Sequence, residues 1–300
     1  MDPVLPVPFA VVTHAHSDHA RAGSTHYLAH KDCVPLLKIR LGKGISIQGL
    51  NYGEWLRVGE VKLRFLPAGH ILGSSQVQIE ANGYSWVLSG DYKRDSDPTC
   101  PAFEPIRCHV FISESTFAMP IYQWEDSSAV VEDIGNFWKE NQENDYATII
   151  ECYSLGKCQR ILAGLNSIGS IFLHPSAYLL TKAYESQGIL FPPYQNLKEL
   201  STSARNPKPL LMLPPNFDFI SLEKEIGKSR SGFASGWMQI KKRRTQSKNA
   251  RNFSLSDHAD WTGLNRTIQE VSPERILIQH GFTEYWLRHL KELGKDAEVI

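Results

Sequence analysis

The stretch VVTHAHSDHA, residues 11–20, places three histidines and one aspartate within six positions at the end of an apolar run. Imidazole nitrogens and carboxylate oxygens are the ligands that catalytic zinc uses, with one coordination position kept for water. Alternate residues of an extended chain share a face, so His14 and His16 are expected to bind one ion. Asp18 and His19 stand where the chain is expected to turn into a helix, and they would point to a second ion. The stretch therefore predicts two metal ions, and a solvated histidine-rich turn is the alternative.

Two metal sites need more ligands than this stretch supplies, and other candidates stand at the ends of apolar runs. His70 ends LPAGH, Asp91 ends WVLSGD and His280 ends RILIQH. An aspartate can bridge two cations through its two oxygens, and we assign that role to Asp91. A hydrogen-bonded turn residue is the alternative for each of them taken alone. Together with the first stretch, they indicate a metal centre at the ends of several strands.

Apolar runs with strand character recur along the chain, and several are separated by helical patterns. The runs expected to form strands are 9–13, 61–68, 85–91, 109–115, 147–153, 209–215 and 275–280. The segments expected to form helices are 156–165, 176–187, 259–271 and 283–294. The early part is strand-rich and the later part alternates strand and helix, which indicates a layered α/β or α+β architecture.

Composition excludes some classes of protein. Lys+Arg and Asp+Glu are equal at 32 each, so a basic surface for nucleic acid would have to be a local patch. The five cysteines include no C-x-x-C pair, which argues against a disulfide framework and a thiolate zinc site. No signal peptide or membrane span is apparent, and we expect a cytoplasmic protein without a membrane association.

The series THAHSDH, AGH, SGD and a final QHG resembles the motif series of the metallo-β-lactamase fold. SESTF, with Glu114, and LSDHAD, with His258, resemble the β-CASP branch of that fold, whose members are nucleases acting on RNA or DNA. Further stretches are most similar to the bacterial ligase-associated DNA exonucleases, namely SGDYKR, DPTC, FEP, LGK-QR, FASGWM and LSDHADW. The resemblance runs over nearly the whole chain.

The resemblance implies an α/β fold, the αββα metallo-β-lactamase sandwich with an inserted α/β β-CASP lobe. Residues 1–120 would form the first part of the metallo-β-lactamase domain, and residues 121–230 the β-CASP insertion. Residues 231–300 would form the second part of the metallo-β-lactamase domain.

The resemblance also implies a ligand set for two Zn²⁺ ions. One ion would be held by His14, His16 and His70, and the other by Asp18, His19 and His280. Asp91 would bridge the two ions. Asp2 matches an aspartate of the family that supports the loop of metal ligands without binding a metal ion itself.

The implied chemistry is two-metal hydrolysis of a phosphodiester, in which a metal-bound hydroxide attacks the phosphorus. Asp18, Glu114 and His258 are the implied catalytic residues. His258, oriented by Glu114, would protonate the departing 3′-oxygen and leave a 5′-phosphate on the downstream piece. A structural histidine in a loop is the alternative for His258.

Contacts with nucleic acid are expected from two segments. Lys157, in YSLGKCQR, begins an expected helix and could receive a phosphate, although a solvated helix start is the alternative. KKRRTQSKNAR, residues 241–251, is the densest basic run, and Lys241, Lys242, Arg243 and Arg244 could line a groove for the backbone. A solvated loop is an equal alternative.

The function expected from the sequence is a zinc-dependent nuclease, with a DNA exonuclease of repair ahead of an RNA-processing nuclease of the same branch. DNA is the expected nucleic-acid partner ahead of RNA, and a DNA ligase or helicase partner is implied by the resemblance alone. A small-ester or thioester hydrolase is disfavoured by the long insertion, Glu114 and His258. Relatives usually carry one or two strands ahead of the aspartate that Asp2 matches. A non-catalytic scaffold is the alternative if the short N-terminus disables the site.

Overall fold

The computed structural model describes residues 1–201, 207–218, 220–241 and 250–300. Within these residues the strands are β1 Phe9–Val11, β2 His26–His30, β3 Ile47–Leu50, β4 Leu56–Val58, β5 Val61–Pro67, β6 Ser75–Ala81, β7 Tyr84–Leu88, β8 Val110–Ser115, β9 Ala147–Glu151, β10 Ile171–Leu173, β11 Gln195–Asn196, β12 Leu210–Leu213, β13 Ser229–Ala234, β14 Ala250–Phe253, β15 Arg275–Gly281 and β16 Ala297–Val299. The α-helices are α1 Val34–Leu41, α2 Ser127–Glu143, α3 Lys157–Gly164, α4 Pro175–Glu185, α5 Glu223–Ile226, α6 Met238–Lys241, α7 Trp261–Val271 and α8 Thr283–Glu292. Short 3-10 helices span Lys31–Cys33, Leu197–Glu199 and Ile220–Leu222.

The chain forms two compact units, and the first comprises Met1–Gln123 and Asp257–Ile300. It contains a three-stranded parallel sheet, β1-β2-β3, and a seven-stranded mixed sheet ordered β16-β15-β8-β7-β6-β5-β4. Apolar side chains from both sheets form one core, among them Leu28 and Leu50 from the first sheet and Phe65 and Val77 from the second. Two sheets packed face to face through a shared apolar layer form a sandwich.

Helices α7 and α8 cover the other face of the seven-stranded sheet. Leu264 and Trp286 from these helices are buried in one cluster with Phe111 of β8. The adjacent Ile112 packs into the core between the two sheets, as the alternation of side chains along a strand requires. The predicted α/β sandwich is confirmed.

The second unit, Trp124–Ser256, has its own sheet and core. Its six strands are all parallel and ordered β11-β10-β12-β9-β13-β14. Helices α2, α3 and α4 contribute Trp138, Ile161 and Ala177 to the cluster on one face of this sheet. Leu197 and Ile226 pack on the other face. Parallel strands buried on both faces are typical of α/β units.

The boundary expected at residue 230 falls inside β13. That strand pairs with β9, and β14 in turn pairs with β13, so both strands belong to the sheet of the second unit, which continues to Ser256. The sequences of β13 and β14, SRSGFA and ARNF, lack the continuous apolar run that marks a buried strand. The start of the second unit, Trp124, lies close to the expected residue 121.

The strands of the first unit bring separate parts of the sequence to one edge. Strand β7 is parallel to β8, and β8 is parallel to β15. Strand β5 runs in the same direction, because β6 is antiparallel to both β5 and β7. The carboxyl ends of β5, β7, β8 and β15 therefore meet at the same edge of the sheet.

Gly73 and Gly83, two of the glycines of the first unit that adopt positive φ, lie in different surroundings. Asn82 (φ 50°) and Gly83 (φ 81°) form the two-residue turn between β6 and β7, as a type I′ hairpin requires. Gly73 (φ 71°) lies in the loop after His70, where an added Cβ would collide with the backbone of Cys33. Apart from Gly83 and its two chain neighbours, no described residue has an atom within 4 Å of a Cβ built at Gly83.

We expect Gly83→Ala to lower the free energy of unfolding by about 1–2 kcal/mol, the cost of left-handed backbone alone. Gly73→Ala carries the same cost and a backbone collision, and we expect a loss of about 2–5 kcal/mol. Urea unfolding of both variants and the wild type measures the difference. Equal losses for the two variants would contradict the close packing of the Gly73 loop.

Candidate metal centre and active site

The first part of the site is the loop after β1. His14 is fully buried and His16 is half-buried, and their rings meet edge to face with centroids 4.9 Å apart. The predicted helix after His16 is wrong. The chain instead makes one turn, closed by a hydrogen bond of 2.8 Å from the Ala20 amide to the His16 carbonyl. The few residues between this turn and β2 leave no room for a helix.

Asp2 and Thr13 fix the orientation of His14. The Asp2 carboxylate accepts from the Thr13 amide at 2.8 Å and from the Thr13 hydroxyl at 2.6 Å. Since the hydroxyl gives its only proton to Asp2, its oxygen accepts from His14 Nδ1 at 3.0 Å. The lone pair of His14 is therefore on Nε2.

His70 is oriented in a similar way by the loop that contains His258. Its Nδ1 lies 2.8 Å from the carbonyl oxygen of Asp257, which can only accept a hydrogen bond. This bond places the His70 lone pair on Nε2, the atom that lies 3.0 Å from His16 Nδ1. The Ser74 hydroxyl accepts from the His70 amide at 3.1 Å and holds the backbone of this loop.

One group of side chains has the composition of a metal site. A ligand atom from each of His14, His16, His70 and Asp91 lies within 4.8 Å of the others. His14 Nε2 is buried with no hydrogen-bond partner among the described residues, and it lies 3.6 Å from Asp91 Oδ2. A buried nitrogen lone pair with no donor beside it fits a cation.

The electrostatics of this group also favour a cation. Burial and the neighbouring histidines hold the pKa of His14 and of His70 well below the usual range, so both imidazoles are neutral. Neutral imidazole is the form that binds metal ions. Three imidazoles and one carboxylate form a site suited to a divalent cation of the zinc type.

The second expected ligand set is less compact. His19 Nε2 lies 3.4 Å from Asp91 Oδ2 and 3.7 Å from Asp18 Oδ2, although the Asp18 side chain is largely exposed. His280 is exposed, and its ring centroid lies 6.0 Å from that of His19. A bulge after Gln279 and a positive φ of 55° turn His280 out of the sheet.

His19 also carries a charge. Burial alone would lower its pKa, but hydrogen bonds to Asp2 and Asp91 raise the pKa of His19 to about 11. A cation that binds His19 Nε2 must displace the proton held there.

Asp91, Glu114 and His258 form a second group of close ligand atoms. His258 Nδ1 lies 2.9 Å from Glu114 Oε2 and 4.0 Å from Asp91 Oδ2. Glu114 is fully buried, and its other oxygen accepts from the Tyr92 amide at 2.6 Å. The Thr116 hydroxyl also donates to Glu114, so both of its oxygens hold protein donors, and an orienting role for Glu114 fits better than metal binding.

The effect of Glu114 on His258 is electrostatic. Burial alone would lower the pKa of His258, but the negative charge and hydrogen bond of Glu114 raise it to about 9. His258 is then an imidazolium near neutral pH, and its Nδ1 proton is held by Glu114. The arrangement can donate a proton from Nε2.

The residues expected to contact nucleic acid lie outside this first unit. Lys157 is buried at the start of α3, and its Nζ lies 4.9 Å from the centre of the Tyr153 ring. Lys241 is the last residue of α6. Lys242, Arg243 and Arg244 lie outside the described residues.

Apart from Asp2, the groups that orient the side chains of the site were not identified from the sequence. Thr13 stands directly before His14, and the Thr-His pair was the available signal. The roles of the Asp257 carbonyl and the Tyr92 amide had no signal, because any residue type supplies these backbone groups.

The chain is similar to several known proteins. It is 30% identical to a probable DNA ligase of Opitutus terrae over 303 residues, covering 100% of this chain and 29% of that protein. It is 29% identical to an RNase J-like protein of Methanocaldococcus jannaschii, over 54% of this chain and 44% of that protein. It is 19% identical to the endoribonuclease YSH1 of Candida albicans, over 78% of this chain and 33% of that protein. The chain thus spans less than half the length of these relatives.

The fold is similar to that of a solved structure. A crystal structure of a protein of unknown function from Enterococcus faecalis V583 aligns with a TM-score of 0.66 at 14% identity, over 97% of this chain and 78% of that one. No protein-family model matches the chain.

The sandwich, the histidine and aspartate cluster, and these similarities define a protein of the metallo-β-lactamase fold. The relatives confirm the resemblance to the β-CASP branch of that fold that the motifs predicted.

We expect Thr13→Val to weaken divalent-cation binding about 10- to 100-fold, because His14 loses the hydroxyl that orients its ring. Thr13→Ser keeps that hydroxyl and should bind like the wild type. Competition with a metal chelator measures the affinities, and thermal unfolding verifies that all three proteins are folded. Equal affinities for the valine and serine variants would show that this hydroxyl does not orient a ligand.

Proposed function

We propose that this protein is a zinc-dependent phosphodiesterase that cleaves nucleic acid, and that its substrate is DNA. The observation that carries the proposal is the position of His258. A proton donor oriented by Glu114 lies 4.0 Å from Asp91, the carboxylate at the centre of the histidine cluster. A hydrolase for an ester with a poor leaving group needs such a donor beside its metal centre.

The residues proposed to hold two Zn²⁺ ions are His14, His16 and His70 for one ion and Asp18, His19 and His280 for the other, with Asp91 between them. When bound, the ions would supply an activated water and neutralise the charge of the phosphodiester. The chain itself orients the ligands through Asp2, Thr13 and the Asp257 carbonyl.

His258 would act on the leaving group. As a bond forms between the water oxygen and phosphorus, the bond from phosphorus to the 3′-oxygen breaks. The Nε2 proton of His258 passes to that 3′-oxygen, and the downstream piece of the strand keeps a 5′-phosphate. Glu114 stabilises the imidazolium before the transfer and fixes the direction of the ring.

The nature of the substrate is supported by the relatives. The similarity to a probable DNA ligase covers the whole chain, which supports DNA as the substrate and an association with a ligase. An exonuclease role in DNA repair is proposed from the resemblance alone. A helicase partner is proposed from the resemblance alone. An RNA-processing nuclease is the second candidate, because an RNase J-like protein and an endoribonuclease are also among the relatives.

We also propose a cytoplasmic location and contacts of basic residues with the nucleic-acid backbone. No helix among the described residues is long and apolar enough to cross a bilayer. All five cysteines are buried thiols, in keeping with a reducing cytoplasm. Contacts of Lys157 and the basic residues Lys241, Lys242, Arg243 and Arg244 with a nucleic-acid backbone are proposed on charge alone.

We expect the purified protein to bind about two zinc ions per chain and to cut a 5′-labelled single strand, DNA in preference to RNA. Asp91→Ala should abolish cleavage. His258→Ala should slow cleavage of the strand about 10²- to 10⁴-fold. The rate of hydrolysis of the p-nitrophenyl ester of thymidine 5′-phosphate should fall far less in His258→Ala, because p-nitrophenolate leaves without a proton.

The matched control is His26→Ala, which removes an exposed histidine of β2 and should leave both rates unchanged. A folded protein that binds no zinc, or that cuts equally well without Asp91, would contradict the proposed function. Equal slowing of both substrates by His258→Ala would contradict its role as the acid.

A further inference from the structure

The first unit contains an open groove that the proposed chemistry does not use. Its volume is about 280 Å³, and it is lined by Pro120, Trp261, Tyr285, Arg288, His289 and Glu292. Four of these six side chains end in a flat ring or a planar guanidinium. Flat groups on a surface groove are suited to stack on another flat group.

Helix α8 provides most of this lining. Tyr285, Arg288, His289 and Glu292 follow at helical spacing and share one face, while Trp286 and Leu290 of the same helix are buried in the core. Tyr285 is 62% exposed, so its ring is open to a ligand. The helix is therefore anchored by one face and presents aromatic and charged groups on the other.

The side chains that line the groove contact one another. The Arg288 Nε lies 2.9 Å from a carboxylate oxygen of Glu292, one helical turn further along the chain. The His289 ring packs against Trp261, with centroids 4.5 Å apart. The packing of the His289 ring on Trp261 lowers the entropy cost of binding a flat ligand.

The groove lies next to the proposed active site. Trp261 follows His258 by three residues, a reach of about 10 Å at most. Phe117 packs against His258 with ring centroids 5.9 Å apart and against Tyr122 at 4.8 Å. Phe282 continues the packing, with its ring 5.7 Å from Tyr122 and 6.4 Å from Tyr285. A packed layer of aromatic rings thus connects the proton donor with the groove.

We propose that this groove binds one unpaired nucleobase of a single-stranded nucleic acid, about three nucleotides or fewer from the scissile phosphodiester. The distance follows from the reach between His258 and Trp261 and a rise of about 3.4 Å per nucleotide. The inference rests on the proposed nuclease function and names its substrate as single-stranded, because neighbouring bases cover both faces of a base inside a duplex and leave none for Tyr285. Glu292 can accept a hydrogen bond from an exocyclic amino group of the base.

If a base stacks on Tyr285, removal of this ring should weaken substrate binding and leave the rate of the chemical step unchanged. Base stacking on an aromatic side chain is worth about 1–3 kcal/mol. Tyr285→Ala should therefore raise KM for a single strand about 5- to 150-fold, with kcat little changed. Tyr285→Phe keeps the ring and should behave like the wild type.

An abasic nucleotide moved stepwise along the strand locates the base. The wild type should bind the strand more weakly when the abasic nucleotide stands at one position within about three nucleotides of the cut. For Tyr285→Ala, an abasic nucleotide at that position should not weaken binding any further. Tyr84→Ala is the matched control, since Tyr84 is 55% exposed on β7 and lies outside the groove. An unchanged KM for Tyr285→Ala, or the same abasic profile in both proteins, would overturn the proposal and leave a protein partner as the better occupant.

A binding measurement separates this proposal from the nuclease function. A single strand with 2-aminopurine at the located position should lose fluorescence when it binds the metal-loaded His258→Ala protein. The double variant His258→Ala, Tyr285→Ala should bind the strand without this loss of fluorescence. Quenching that depends on Tyr285, without cleavage by the wild type, would uphold the groove and refute the nuclease. Cleavage without Tyr285-dependent quenching would uphold the nuclease and refute the groove.

Discussion

The structure of the site depends on one buried carboxylate oxygen. Asp91 Oδ2 lies between 3.4 and 4.0 Å from ring nitrogens of His14, His19, His70 and His258. Burial alone would raise the pKa of Asp91, but the hydrogen bond from His19 and the charge of His258 hold it well below its usual range. A buried anion is tolerated only with such compensation, so the loop of His14 and His19 and the separate segments of His70 and His258 must converge on this oxygen.

The fold meets this requirement with parallel strands. Strands β5, β7, β8 and β15 end at one edge, and the loops that follow β5 and β7 contain His70 and Asp91. The groups that hold these residues connect the loops to one another. The Asp257 carbonyl fixes the His70 ring from the segment that also presents His258, and the Tyr92 amide holds Glu114 from the segment that presents Asp91. Ligand geometry and proton donor are thus parts of one network.

Much of this arrangement could be predicted from the sequence. The histidine stretch and the strand-end residues His70 and Asp91 were identifiable because residue type and position after an apolar run both point to metal binding. The helix expected after His16 was wrong because spacing does not show how soon the chain must enter β2. Helix α2 was overlooked although its buried positions, such as Ile134 and Trp138, have helical spacing. The boundary at 230 was misplaced because β13 and β14 are short strands rich in polar residues, and such strands resemble loops in the sequence.

The most direct test of this account is the position of metal ions around Asp91. Anomalous diffraction at the zinc edge from crystals of the zinc-loaded protein locates the ions independently of activity. The account predicts two peaks, one beside His14, His16 and His70 and one beside His19, with the Asp91 carboxylate in contact with both. A single peak, or peaks that do not contact Asp91, would contradict the central role of this carboxylate.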